Sequence, residues 1–189
     1  MSKATIGFAL CGSFCTFRKT IDTLRLLAEE YKIIPIASDA AFSTDSRFGQ
    51  AAEFHREIEE ICGAKILHTL TEVEPFGPKA MLDLLVIAPC TGNTLGKLAG
   101  GIADSPVTFA CKAHLRNGRP IVLAVSTNDG LSASGESIGR LLNRKHYYFV
   151  PFGQDSPFSK PYSLVADLRK LPETVRAALE GKQLQPLLL

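Results

Sequence analysis

The chain has 189 residues, 46% of them hydrophobic and 21% charged, enough for one sizeable core and too few for two ordinary domains. Its 21 basic and 19 acidic residues leave a formal charge of +2, which excludes broad electrostatic attraction to nucleic acid or to an anionic membrane. A small molecule or a protein is left as partner, and a single domain over residues 1–189 is expected, with 180–189 as a C-terminal tail.

The opening MSKATIGFALCGSF carries one lysine before an apolar run that soon meets Gly12 and Ser13, too short for a secretory segment or a membrane span, so a soluble, cytoplasmic protein is expected. Residues 4–10 read as a parallel strand buried on both faces. Over 18–30, Ile21, Leu24, Leu27 and Ala28 recur at helical spacing, and IIPIA then forms a second strand ending at Ser38. A helical pattern over 45–61 closes at Gly63, and 65–67 is a short strand candidate. Residues 72–79, with Pro75, Gly77 and Pro78, read as a loop before 84–88, the most apolar strand, which Pro89 should stop. Helices are expected over 94–100, 107–115 and 137–142, and strands over 120–125 and 147–150. The segment PFGQDSPFSKPYS reads as a loop, 164–179 as a last helix, and QLQPLLL as a partner-docked or frayed end. Strands alternating with helices predict a three-layer α/β fold, Rossmann-like or flavodoxin-like, with a mainly parallel sheet, and ligands in the crevice beyond the carboxyl ends of its strands.

Four loops follow the four best strands: CGSFCT, SDAAFST, PCTGNT and STNDG. Gly12, Ser13, Ser38, Thr91, Thr94, Ser126 and Thr127 are candidate cofactor-binding residues, because small and hydroxylated residues at helix starts offer the O–H and N–H donors that a phosphate requires. Any one loop is explained equally well as ordinary caps and turns. Their agreement favours an anion site. No G-x-G-x-x-G or G-x-x-x-x-G-K-[ST] motif is present, so a mononucleotide phosphate such as that of FMN fits better than a dinucleotide.

The stretch LLVIAPCTGNTLGKLAGGIADSPVT resembles the segment of the homo-oligomeric flavin-containing cysteine decarboxylases in which a Pro-Ala-Ser-Ala-Asn-Thr-type motif follows a buried strand, and STND resembles their later Ala-Met-Asn loop. PFGPKAMLDLLVIAPCTGNTLGKLAGGIADSPVT, KAHLRNGRPIVLAVSTNDGL and YYFVPFGQD together are similar to the two-component, dipicolinate-forming branch of that superfamily, through most of the chain. The resemblance implies oxidation of a dihydrodipicolinate precursor to pyridine-2,6-dicarboxylate during sporulation, by a B-type chain active with an A-type partner chain that brings NAD or NADP. It also implies FMN as cofactor and a homo-oligomer, commonly trimer-based. Carried over by motif, Asn93 helps to hold a substrate carboxylate, and Thr91, Thr94 and Asn128 lie in the flavin and substrate neighbourhood. The decarboxylases' histidine is replaced by Pro75, which argues against cysteine decarboxylation. An FMN-dependent decarboxylase or flavin prenyltransferase, and a non-catalytic binding or scaffold protein that has lost flavin, stay open as alternatives.

No catalytic acid or base stands out; Asn93, Asn128 and His68 are weak candidates, and a lone histidine beside a strand end is more often structural. Asp22, Asp39 and Asp104 form no pair at useful spacing. Arg18 and the cluster Lys112, His114 and Arg116 are equally readable as anion contacts or as solvated helix ends. Cys11, Cys15, Cys62, Cys90 and Cys111 form an odd set without CxxC spacing, which predicts reduced thiols and no metal, with Cys90 a small core residue. Phe149, Phe152, Phe158 and Tyr162 suit either a core or a lid or interface arm.

Overall fold

The computed structural model describes residues 3–189. Five parallel strands form its centre: β1 (Thr5–Leu10), β2 (Lys32–Ala37), β3 (Leu84–Cys90), β4 (Ile121–Thr127) and β5 (Tyr147–Phe149), in the order β2-β1-β3-β4-β5. This is the flavodoxin-like order, and its direction reverses between β1 and β3. Every residue of β3 is buried, as a strand covered on both faces requires.

Helix α1 (Phe17–Glu30) buries Phe17, Ile21, Leu24 and Leu27, spaced to form one stripe. After it come α2 (Asp39–Ser43), α3 (Ala51–Cys62) and α4 (Leu70–Val73), then α5 (Gly92–Gly100), α6 (Pro106–Leu115), α7 (Gly135–Leu142) and α8 (Leu171–Leu179). α1 and α8 pack together on β3, while α5 and α6 also contact one another and the sheet, with α7 against α5. A continuous core results, with Phe8, Val86, Leu123 and Phe149 at 0% exposure.

Several sequence expectations need correction. The 164–179 helix begins only at Leu171, with Pro172 in its first turn where a missing N–H costs nothing. Before it, β7 (Leu164–Ala166) pairs antiparallel with the end of β4, Val165 opposite Ser126, and with β6 (Phe152–Gly153). The last stretch of β4 lies beyond its pairing with β5 and needs a partner for its backbone, a tertiary demand that outweighs helical spacing in LVADL. Pro89 does not stop β3, which continues to Cys90 through a register shift. The 65–67 strand reduces to one bridge between Leu67 and Ile36, and the 45–61 helix starts at Ala51, where the Asp45 carboxylate accepts the Ala51 N–H at 2.9 Å. Within the expected 72–79 loop lie the end of α4 and a 3-10 turn, Glu74–Phe76, the former fixed by reciprocal capping between Thr69 and Glu72. The tail docks on its own chain: Phe152 N–H donates to Leu187 O and Leu189 N–H to Phe152 O.

His114, at the end of α6, is fully buried; its Nε2–H donates to Pro120 O at 3.0 Å while Nδ1 lacks a partner among the described residues. Burial lowers its pKa below the usual value, partly opposed by the Pro120 contact, and His55 is lowered in the same direction. The folded state therefore refuses protons that the unfolded chain accepts below about pH 6.5, so stability is full above that pH and declines as pH falls. Melting temperatures from pH 7.5 down to 5 should fall more steeply for the natural chain than for His114→Leu; parallel profiles would contradict this account.

Candidate active site

The carboxyl ends of β1, β2, β3 and β4 deliver their loops to one crevice at the point where the strand order reverses. It has two lobes sharing Gly12, Thr91 and Asn93. The larger, about 530 Å³, is also lined by Ser13, Phe14, Arg47, Ser126, Thr127 and Asn128, with Asp129, Asp155 and Lys160 further along. The smaller, about 410 Å³, adds Ser38, Asp39, Thr94 and Lys97. Both volumes fall within the roughly 300–1,000 Å³ typical of small-molecule sites. All nine candidate binding residues from the sequence, Gly12, Ser13, Ser38, Thr91, Asn93, Thr94, Ser126, Thr127 and Asn128, lie on these walls.

Local chemistry fixes the walls. Thr91 caps α5, its hydroxyl accepting from Thr94 N–H at 3.4 Å, while the Thr94 hydroxyl donates to the buried Cys11 thiol at 3.2 Å. The backbone amides of Gly92 and Asn93, first in the helix, have no acceptor among the described residues, as the opening turn of a helix leaves them. Ser13 and Ser126 hydroxyls lie 2.8 Å apart. Two hydroxyls joined by one hydrogen bond use one proton between them, which leaves the other O–H to donate elsewhere. The side-chain amides of Asn93 and Asn128 also have no partner among the described residues, and both residues are exposed to the crevice. Thr127 hydroxyl donates to the Asp129 carboxylate, which holds its pKa below the ordinary range, and Lys160 does the same for Asp155 at 2.9 Å. The unspent N–H donors at the start of α5 and the O–H left over by the Ser13–Ser126 pair, in a crevice also lined by the aromatic rings of Phe14 and Phe48, are a donor set that fits a phosphate-bearing planar ring.

Residues 1–134, which contain all four loops, match the Flavoprotein family model. The chain belongs to the Flavoprotein family. Within this family it is 45% identical to the B subunit of dipicolinate synthase from Bacillus subtilis (strain 168) over 185 residues, 97% of this chain and 92% of that protein. The crystal structure of the corresponding B subunit of dipicolinate synthase from Bacillus halodurans C superposes with a TM-score of 0.91 at 45% identity, covering 100% of this chain and 98% of that one. An FMN-dependent cysteine decarboxylase, SpaF, shares the fold at 20% identity, with a TM-score of 0.69 over 95% of this chain and 97% of its own. The flavoprotein superfamily and the flavodoxin-like fold expected from the motifs are therefore correct.

His68 lies outside both lobes, stacked on Phe42 at 3.8 Å between ring centroids with His55 on another side of the same ring, so the structure keeps it apart from Asn93 and Asn128. Asp39 lines the smaller lobe; Asp104 is an exposed partner of Lys97, and Arg18 pairs with Glu57 outside the crevice. Cys90 is a core residue, as expected, its thiol raised well above the usual range by burial; burial also pushes Cys11 up to about 11 and Cys111 to about 12, which keeps these thiols protonated and inert. Phe149 and Phe152 are core, whereas Phe158 and Tyr162 are exposed. Sequence reading missed Phe14, Cys15, Arg47, Phe48, Asp129, Asp155 and Lys160 as wall residues. Asp129 follows STN directly and could have been found from the same loop; Asp155 and Lys160 arrive only through the β6–β7 excursion. Among the described residues no group of three or more His, Cys, Asp or Glu is placed to hold a metal ion, and no helix is long and apolar enough to cross a membrane.

Proposed function

We propose that this chain is the B component of a two-component dipicolinate synthase, an oxidoreductase that forms pyridine-2,6-dicarboxylate from dihydrodipicolinate during sporulation. Its partner is the A component of dipicolinate synthase, which brings NAD or NADP, and the assembly is a cytoplasmic, trimer-based oligomer. One observation carries the reading: the likeness to the B chain of the Bacillus subtilis dipicolinate synthase runs over 97% of this chain and so takes in the loops that build the crevice.

In this reading FMN is held by the Gly92 and Asn93 amides with the hydroxyls of Ser13, Ser38, Thr91 and Ser126, Gly12 leaving room for close approach, while Thr94 and Thr127, whose protons go to Cys11 and Asp129, can only accept from it. When bound, FMN supplies a two-electron acceptor. Asn93 and Asn128 orient a small dicarboxylate through neutral N–H donors. Their neutral N–H groups offer the carboxylates hydrogen bonds in the crevice that Asp129 and Asp155 also line.

A binding component that has lost flavin is the second reading, favoured by Asp129, a carboxylate without a cation partner among the described residues, which opposes a phosphate at the neighbouring donors. An absorbance scan of the purified chain, with dipicolinate formation assayed with and without FMN and the A component, tests both. A flavin spectrum with partner-dependent synthesis is the expected result. Synthesis without flavin supports the second reading, and neither FMN binding, dipicolinate binding nor synthesis would overturn both.

A further inference from the structure

Three cations line the two lobes, and two of them are committed: Lys97 to Asp104 at 2.8 Å and Lys160 to Asp155 at 2.9 Å. Arg47 alone of the three has no carboxylate partner among the described residues; its guanidinium only rests against its neighbour Phe48, 4.9 Å from the ring centroid. A charged, five-donor group without an acceptor, on the wall of a cavity, is suited to bidentate capture of a carboxylate.

The backbone that presents it is held in shape. Ser46 and Gly49 exchange both backbone hydrogen bonds at 3.1 Å, Ser46 hydroxyl accepts from Phe48 N–H at 3.2 Å, and Asp45 ties the turn to α3. Gly49 has φ +145°, and a Cβ there would stand 2.7 Å from the Phe54 ring, so the turn requires glycine. Arg47 and Phe48 are thus offered together to a cavity whose other walls carry the Phe14 ring and the unpartnered amides of Asn93 and Asn128. The backbone of the turn therefore needs little ordering on binding, and what a ligand must order is the exposed Arg47 side chain.

The geometry points to Arg47 as the carboxylate clamp of the larger lobe, selecting a ring acid whose carboxylate meets the guanidinium. The inference deepens the proposed function and rests on it. Asp129, bonded only to the neutral Thr127 hydroxyl, repels the same carboxylate from the end of β4, whereas Lys160 neutralises Asp155, so attraction by Arg47 and repulsion by Asp129 together set which way a ring acid enters.

The test is calorimetric titration of the full chain with pyridine-2,6-dicarboxylate, pyridine-2-carboxylate and, separately, FMN, for the natural chain, Arg47→Gln and Arg47→Lys, each checked for an unchanged melting temperature. Loss of a charge-assisted bidentate contact should weaken dicarboxylate binding by about tenfold or more in Arg47→Gln, with Arg47→Lys intermediate and FMN affinity within about twofold throughout. Dicarboxylate binding by Arg47→Gln within about twofold of the natural chain would overturn the clamp alone. An equal loss of FMN affinity would also overturn it, since Arg47 would then serve the flavin. A natural chain that binds none of the three ligands would remove the proposed function first and the clamp with it.

Discussion

Gly92→Val should lower the melting temperature and close the crevice to ligand. Gly92 is the first residue of α5, and a Cβ built on it would lie 2.5 Å from Ser134 Oγ, 2.7 Å from Thr127 Oγ1 and 2.9 Å from Asp129 Oδ1. None of these oxygens yields cheaply, because Thr127 and Asp129 are bonded to each other and Ser134 is buried. Overpacking of this kind costs about 1–3 kcal/mol, and at roughly 2–4 °C per kcal/mol for a chain of this size the midpoint should drop by about 2–12 °C. The larger effect falls on binding: pushing the STND loop away from α5 separates Asn128 from the Gly92 and Asn93 amides that share the wall, so FMN and pyridine-2,6-dicarboxylate should no longer bind measurably. Thermal melts with parallel titrations decide the matter. Binding retained at the natural level would show that this close approach is not needed for the site.

Phe8→Ala should destabilise the chain more than any of the other substitutions. Phe8 is 0% exposed in the middle of β1, paired with Pro35 of β2 on one side and Val86 of β3 on the other. Truncating a buried phenylalanine removes its transfer energy and leaves a cavity, at a cost of about 3–5 kcal/mol. That is a large share of a total stability of about 5–15 kcal/mol. Urea unfolding should show a lower midpoint at an unchanged slope, and a loss below about 1 kcal/mol would mean that the neighbouring strands collapse into the space. Because β1 also ends in the Cys11–Thr16 loop, ligand affinity should weaken with the core even though Phe8 touches no ligand.

The parallel strands were legible because burial on both faces demands continuous apolar runs, and TIGFAL, LLVIA and IVLAV have little else in them. The four strand-end loops were legible for a related reason. In this fold a loop's place in space follows from the strand before it, so small hydroxylated residues after successive strands must meet. The misplaced elements are those whose stability is not local. Val165 pairs with Ser126, nearly forty positions earlier in the chain, and no periodicity within LVADL announces that partner.

Sequence alone determined the fold class, the end of the sheet that carries the crevice, and the hydroxyl and amide groups that line it. Its motifs also carried the superfamily resemblance. Only the tertiary structure decided which charges share that crevice. Arg47 comes from a turn after α2, and Asp155 and Lys160 from the excursion between β6 and β7, segments with no regular period of their own. Their convergence, and the separation of His68 from Asn93 and Asn128, depend on contacts between residues far apart in sequence, whereas spacing patterns report only what neighbours along one helix or strand will do.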